Sequence, residues 1–375
     1  MSNAIDRRAV LAGALGAALS PRISHAQATG AFAAMEKPIA ERVASLKGSG
    51  ILAVAQQKRL VHLAGFGGMK PADRYRVFSI SKSVTGLAVL ALVQAGKLDL
   101  DAPISKYIGA LLQKHGPPAD PRVPGVTVRQ VMTHMAGFAS NERDDDPVLL
   151  NGSGGFKPPK GRERDPPSWR KEDLLPVILK RKLDADPGAK YIYSNAGYAV
   201  LGLVVEAASG MSYEEYCRAS VLTPGGLTLP TIERDRRYID SVSGWQMTAP
   251  EVLKLFWLFE SEDTRVLNAA MHKVALGPSG AFINEQRQTY YTSGLMVREF
   301  RPGVLLWYHV GRYQYGAKEQ QVFTFATRAP NVSVVWAIRP SIDLQDVLAV
   351  DREVWAAVRA MKDWPAHDLF PQHGL

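Results

Sequence analysis

Three short groups of residues in this sequence combine side chains that can attack a carbonyl and move the protons released. The first is Ser79-Ile80-Ser81-Lys82. A serine and a lysine three apart at a helix start lie on one face, one turn from each other. Burial can lower the lysine pKa enough for it to take the serine proton, and backbone N–H groups at the helix start can stabilise an oxyanion. The same spacing recurs at Ser168-Trp169-Arg170-Lys171. Context separates the two. Only the first follows a strand-like stretch, 75–78, and opens an apolar helix through Val84, Leu87, Leu90 and Val93, whereas Ser168 follows Pro166-Pro167 in a loop. Taken alone, such a pair also suits a helix cap and a surface lysine.

The second group is Tyr193-Ser194-Asn195, preceded by the turn Asp186-Pro187-Gly188 and followed by the apolar run 198–205. A phenol held near a cation can relay protons, and the amide beside it can orient a substrate carbonyl or the lysine. A tyrosine merely packed at a helix start would look the same. The third is His309-Val310-Gly311, at the end of an expected strand over 304–308. A glycine there lets a substrate lie against the strand edge, and a backbone N–H just beyond it can complete an oxyanion hole. A lone histidine at a strand end also serves packing alone.

Positioning these groups calls for an α/β (α+β) architecture. Apolar residues at helical spacing over 32–46 (Met35, Ile39, Val43, Leu46) indicate an amphipathic helix. The segments 51–55 and 60–66, joined by Gln56-Gln57-Lys58-Arg59, indicate an antiparallel hairpin. Near the other end, 294–300, 304–309, 321–327 and 332–338 form a predicted antiparallel meander, and 344–361 a closing helix. Helices and strands from both chain ends thus build one domain around an antiparallel sheet, 29–82 with 266–375. The intervening 83–265 reads as an inserted, mostly helical domain. Within it, 139–173 carries Asp144-Asp145-Asp146, a glycine-rich run and several prolines, which suits either a lid or a plain surface insertion.

Residues 1–28 read as an address rather than fold. Arg7-Arg8 precede an uncharged stretch from Ala9 to Ser20 and a small-residue exit near Ala26 or Ala28, an order that resembles a cleavable twin-arginine export signal. The expected location is the periplasm or outside the cell, with no stable membrane insertion after cleavage. The chain carries a net charge of +9. Its densest basic stretches, 157–171 and 234–237, are broken by acidic residues, which disfavours nucleic acid as a partner. With 46% hydrophobic and 22% charged residues over 375 positions, the composition excludes a disordered or fibrous chain. The one cysteine, Cys217, cannot form an intrachain disulfide and lacks the companions a zinc site needs.

The three groups, in this order, resemble the serine β-lactamase-like superfamily, specifically its class C branch with the family VIII esterases, D-aminopeptidases and D-alanyl-D-alanine carboxypeptidases. Three further blocks carry the resemblance: Gly96 to Pro103, Val126 to Phe138 (Val-Thr-Val-Arg-Gln-Val-Met-Thr-His-Met-Ala-Gly-Phe), and Tyr193 to Gly202. It spans about residues 32 to 362 and implies a β-lactamase/transpeptidase-like fold. It further implies Ser79 as nucleophile, Lys82 as its base, Tyr193 as proton relay, Asn195 as substrate-orienting amide, and N–H groups of Ser79 and Arg312 as oxyanion hole. His134 reads as a structural residue fixing a turn. Two departures stand out: Met135-Ala136 replace the usual Thr-Ser, and His309-Val310-Gly311 stands where β-lactamases usually carry Lys-Thr-Gly. The groups that hold a substrate carboxylate are therefore missing, unless Arg312 supplies a cation. The resemblance implies a serine hydrolase acting through an acyl-enzyme on a small carboxylic ester or D-amino-acid-type amide, with no metal or organic cofactor. A D,D-carboxypeptidase or weak β-lactamase is one alternative, and a non-catalytic binding or scaffolding relative another.

Overall fold

A computed structural model describes residues 25–140, 146, 148, 157–278, 280, 282–314 and 318–374. Arg7, Arg8 and most of the expected leader lie outside the described residues; Ala26 and Ala28 fall in the first turns of the N-terminal helix. The strands are β1 (Ser49–Gln56), β2 (Arg59–Phe66), β3 (Tyr75–Arg76), β4 (Thr231–Ile232), β5 (Trp245–Met247), β6 (Phe282–Asn284), β7 (Thr289–Tyr291), β8 (Met296–Arg301), β9 (Val304–Tyr313), β10 (Val322–Ala329) and β11 (Val332–Arg339). Eight of them form one sheet in the order β2-β1-β11-β10-β9-β8-β7-β6, antiparallel throughout, and β3, β5 and β4 form a small second sheet.

The pairing of β1 with β11 joins the two chain ends, Leu52 opposite Trp336 and Val54 opposite Val334. The β1–β2 hairpin turns on Gln57 and Lys58, both at positive φ (51° and 61°). That is the turn geometry whose twist matches the flanking strands, reached here without glycine. Helices α1 (His25–Leu46) and α11 (Leu344–Ala360) cover one face of the sheet. Phe32, Met35, Ile39 and Val43 meet Leu52, Val54, Trp336 and Ile338 there, with Val347, Val350 and Val354 alongside. The alternate residues Ile51, Ala53, Ala55, Val335 and Ala337 join the larger core on the other face. Burial on both faces is why these strands read as nearly continuous apolar runs.

The segment between the sheet halves carries α2 (Ser81–Gln94), α3 (Ser105–Lys114), α4 (Val128–Met132), α5 (Leu175–Leu179), α6 (Asn195–Ser209), α7 (Tyr213–Cys217), α8 (Asp240–Ser243), α9 (Ala249–Trp257) and α10 (Ala269–Ala275). α2 is buried on nearly all sides and packs against α6 and α8, while α9 crosses β11, β1 and β10. Two differences from the sequence reading matter. The strand expected over 304–308 runs on to Tyr313, so His309-Val310-Gly311 lies inside β9 rather than at its end. β6 and β7, three residues each, extend the meander by a hairpin that no alternation announced.

Candidate active site

Ser79 sits in a single 3₁₀ turn, Phe78–Ile80, that runs directly into α2. The turn is anchored by Val77 N–H donating to the Trp245 carbonyl at 3.1 Å. Phe78 holds a left-handed φ of 43°, and its ring stacks on Tyr313 at 5.0 Å between centroids. From behind, β9 approaches so closely that a Cβ on Gly311 would be driven into the Val77 carbonyl oxygen. This contact explains why the third motif needs glycine. Gly294, at φ 83°, likewise lets its loop pass against the Lys82 backbone, and Ser83 Oγ donates to its carbonyl at 2.7 Å.

Lys82 is fully buried in the first turn of α2. As an ammonium its nitrogen donates to three acceptors, Ser79 Oγ at 3.0 Å, Asn195 Oδ1 at 2.9 Å and the Val242 carbonyl at 3.1 Å; as a neutral amine, with two N–H groups and a lone pair, it can accept from the Ser79 hydroxyl instead. Burial pulls its pKa down to about 7, with the charge of Asp146 opposing the shift. An amine half unprotonated at neutral pH, within hydrogen-bond reach of a serine, is a competent general base.

Tyr193 shares a hydrogen bond with Ser79, and its ring centroid is 5.0 Å from Lys82 Nζ. Burial raises its pKa, so the phenol keeps its proton at neutral pH. Asn195 is the first residue of α6, capped by Ser194 Oγ, which accepts from Gly197 N–H at 3.3 Å. Its Nδ2 donates to Asp146 Oδ2 at 2.7 Å. His134, at φ 60°, ties its turn to this segment: the Ser194 N–H donates to His134 Nδ1 at 3.2 Å, and the Ile192 N–H to the His134 carbonyl at 2.8 Å. Its ring fills the space among Tyr193, Tyr198 and Tyr291. This is the turn-fixing role expected of it.

His309 is also buried, with Nε2 3.0 Å from the Tyr291 hydroxyl and Nδ1 2.7 Å from the Val310 carbonyl. Burial, and then the nearby Lys82 charge, lower its pKa to about 3, so it presents a neutral imidazole. The tautomer that satisfies both contacts carries its proton on Nδ1 and accepts from Tyr291, as assigned from the network. Strand alternation puts His309 and Gly311 on the face toward Ser79 and sends Val310 and Arg312 the other way. Val310 joins the core under α1 and α11, and the exposed Arg312 pairs in register with Phe323 of that same core. The Arg312 guanidinium, a candidate cation for a substrate carboxylate, therefore lies on the opposite face of β9 from Ser79. Its backbone stays on the relevant edge: β8 pairs β9 only as far as Tyr308, so among the described residues no strand covers that edge beside the Ser79 turn.

The second Ser-x-x-Lys pair has no such setting. Ser168 Oγ is exposed and donates to the Asp165 carbonyl, while Lys171 is buried in ion pairs with Asp240 at 2.7 Å and Glu206 at 2.9 Å. Sequence reasoning missed Asp146, 1% exposed and bonded to Asn195, because one acid in a run of three in a polar loop carries no signal of burial. It also missed the Val242 carbonyl and Tyr291, since backbone acceptors and packing tyrosines leave no motif.

An antiparallel sheet covered by helices from both ends, with a serine, a buried lysine and a tyrosine where the helical segment meets it, is the plan of a serine hydrolase. More particularly, the chain belongs to the Beta-lactamase family, whose model matches residues 35–344. Protein flp of Staphylococcus aureus (strain NCTC 8325 / PS 47) is 27% identical over 158 residues, covering 42% of this chain and 28% of that protein. A probable fimbrial assembly protein FimD, serogroup H1, of Dichelobacter nodosus is 32% identical over 153 residues, covering 40% of this chain and 34% of that one. The matches thus span about a third of these relatives' length. The fold is shared with a D-stereospecific amidohydrolase from Streptomyces sp. (TM-score 0.67, 19% identity, 84% of this chain and 97% of that one). It is shared also with an octameric penicillin-binding protein homologue from Pyrococcus abyssi (0.70, 19%, 90% and 79%) and with a D-amino acid amidase from Ochrobactrum anthropi SV3 (0.66, 17%, 89% and 100%).

Proposed function

We propose that this protein is an exported serine hydrolase that cleaves a carboxylic ester or a D-amino-acid-type amide through an acyl-enzyme. The observation that carries the reading is the contact set at Lys82: a buried nitrogen with pKa near 7, 3.0 Å from a serine hydroxyl that also touches a neutral phenol. Ser79 Oγ attacks the carbonyl carbon as its proton passes to Lys82 Nζ, and the developing oxyanion faces the N–H groups of Ser79 and Arg312. The Tyr193 hydroxyl gives its proton to the leaving alcohol or amine and recovers one from Lys82. Water then attacks the acyl-serine ester, Lys82 takes its proton, and the acid departs as Ser79 regains its hydrogen.

Two features bear on the substrate. The neutral His309 offers no cation where a lysine would meet a substrate carboxylate, which favours neutral acyl groups over β-lactams. The fold likeness to a D-stereospecific amidohydrolase and a D-amino acid amidase supports the amide branch. Export rests on the Arg7-Arg8 leader. The test is labelling by a fluorophosphonate together with turnover of a short-chain aryl ester. Both are expected to vanish in Ser79→Ala, and unchanged labelling overturns the assignment.

A further inference from the structure

We infer that Asp146 is a positioning residue for this reaction, fixing the orientation of the Asn195 amide and through it the place of Lys82 against Ser79; the inference rests on the hydrolase reading above. A carboxamide is nearly symmetric in shape, and its oxygen and nitrogen ends exchange on a flip. An ionised carboxylate only accepts. By accepting from Asn195 Nδ2 at 2.7 Å, Asp146 Oδ2 commits Asn195 Oδ1 to Lys82 Nζ at 2.9 Å, and Lys82 in turn reaches Ser79 at 3.0 Å. The other oxygen, Oδ1, accepts the Val148 N–H at 2.8 Å, which fixes the carboxylate itself. A flip would set donor against donor and acceptor against acceptor in a buried site, where unmade hydrogen bonds are costly.

Burial raises the Asp146 pKa, opposed by the Val148 N–H, the Asn195 amide and Lys82; ionised, Asp146 supplies negative charge opposite Lys82. Among the described residues, the charged and titratable groups around the pair are Arg181 beyond α5, the Tyr193 and Tyr198 phenols, His134 and, from β9, His309. The charge of Asp146 favours protonated Lys82.

The experiment is the pH profile of kcat/KM, with kcat and KM, for a neutral short-chain aryl ester in the full chain and in Asp146→Asn, which keeps shape and removes charge. The acidic limb is expected to move to lower pH by roughly one unit. kcat is expected to fall about tenfold with KM within about twofold. In an Asn195→Ala background the added kcat loss is expected to shrink below about twofold, because the effect runs through that amide. If Asp146→Asn does not fold, Asp146→Glu carries the test: the wild-type limb with reduced kcat supports the inference. Profiles and kcat superimposable on wild type, or losses that multiply fully with Asn195→Ala, overturn it. Absence of any acylation at Ser79 in the wild-type protein overturns the hydrolase reading, and this inference with it.

Discussion

Lys82 Nζ lies 3.0 Å from Ser79 Oγ with its nitrogen sealed from solvent, and burial is the main reason its pKa sits near 7 rather than near 10. The neutral amine is the form that can accept the serine proton. Activity is therefore expected to rise with pH, about tenfold per unit well below 7, and to level off above it. Tyr193, raised above its ordinary value, adds no downturn below about pH 10. A pH–rate profile of kcat/KM checks this, and Lys82→Arg, permanently charged, is expected to cost about 100-fold or more at every pH.

Gly311 is the point where β9 presses on the turn that carries Ser79. Gly311→Ala drives a methyl group into the Val77 carbonyl, so the turn must move. The expected cost is about 1–3 kcal/mol of stability, read as a lower thermal midpoint, together with loss of labelling at Ser79. A folded Gly311→Ala protein with wild-type turnover contradicts the account of this contact.

His309 is held neutral by burial, its pKa near 3 against about 6.5 in the unfolded chain. Below 6.5 the unfolded chain gains a proton that the folded one refuses, so stability is lost as pH falls from about 6.5 toward 3. At pH 4.5 this amounts to roughly 2–3 kcal/mol. Denaturant titrations at pH 7 and pH 4.5 are expected to show this loss, and His309→Asn to reduce it.

The two Ser-x-x-Lys pairs make a matched control. Ser168→Ala is expected to leave turnover unchanged, because the Ser168 hydroxyl bonds to the Asp165 carbonyl of its own loop. Lys171→Met leaves Asp240, whose pKa burial already lifts to about 6, without its ion-pair partner inside the protein. That is expected to cost about 3–5 kcal/mol, measured by chemical denaturation.

That Ser79, Lys82 and Tyr193 come together was legible because they fall in contiguous blocks whose local elements the sequence also marks. An apolar helix opens at Ser81, a Ser194 cap opens α6, and β-branched runs build β10 and β11. What escaped depends on long-range packing. His309-Val310-Gly311 falls mid-strand because β10 pairs with β9 as far as Tyr313, well past Tyr308, where the apolar pattern suggested the strand ends. Arg312 faces away because that continuation preserves strand alternation. Asp146 is buried because α6 supplies an amide to it, a contact across 49 positions that no local composition encodes.

Ser79 is expected to become acylated during turnover. Intact-mass measurement after rapid mixing with aryl esters, D-alanyl amides and β-lactams, followed by peptide mapping, reads this out. The expected result is a transient adduct of the acyl group's mass on the peptide holding Ser79, formed from an ester or a D-amino-acid amide and absent in Ser79→Ala. An adduct on another residue, or hydrolysis that persists in Ser79→Ala, would contradict the account.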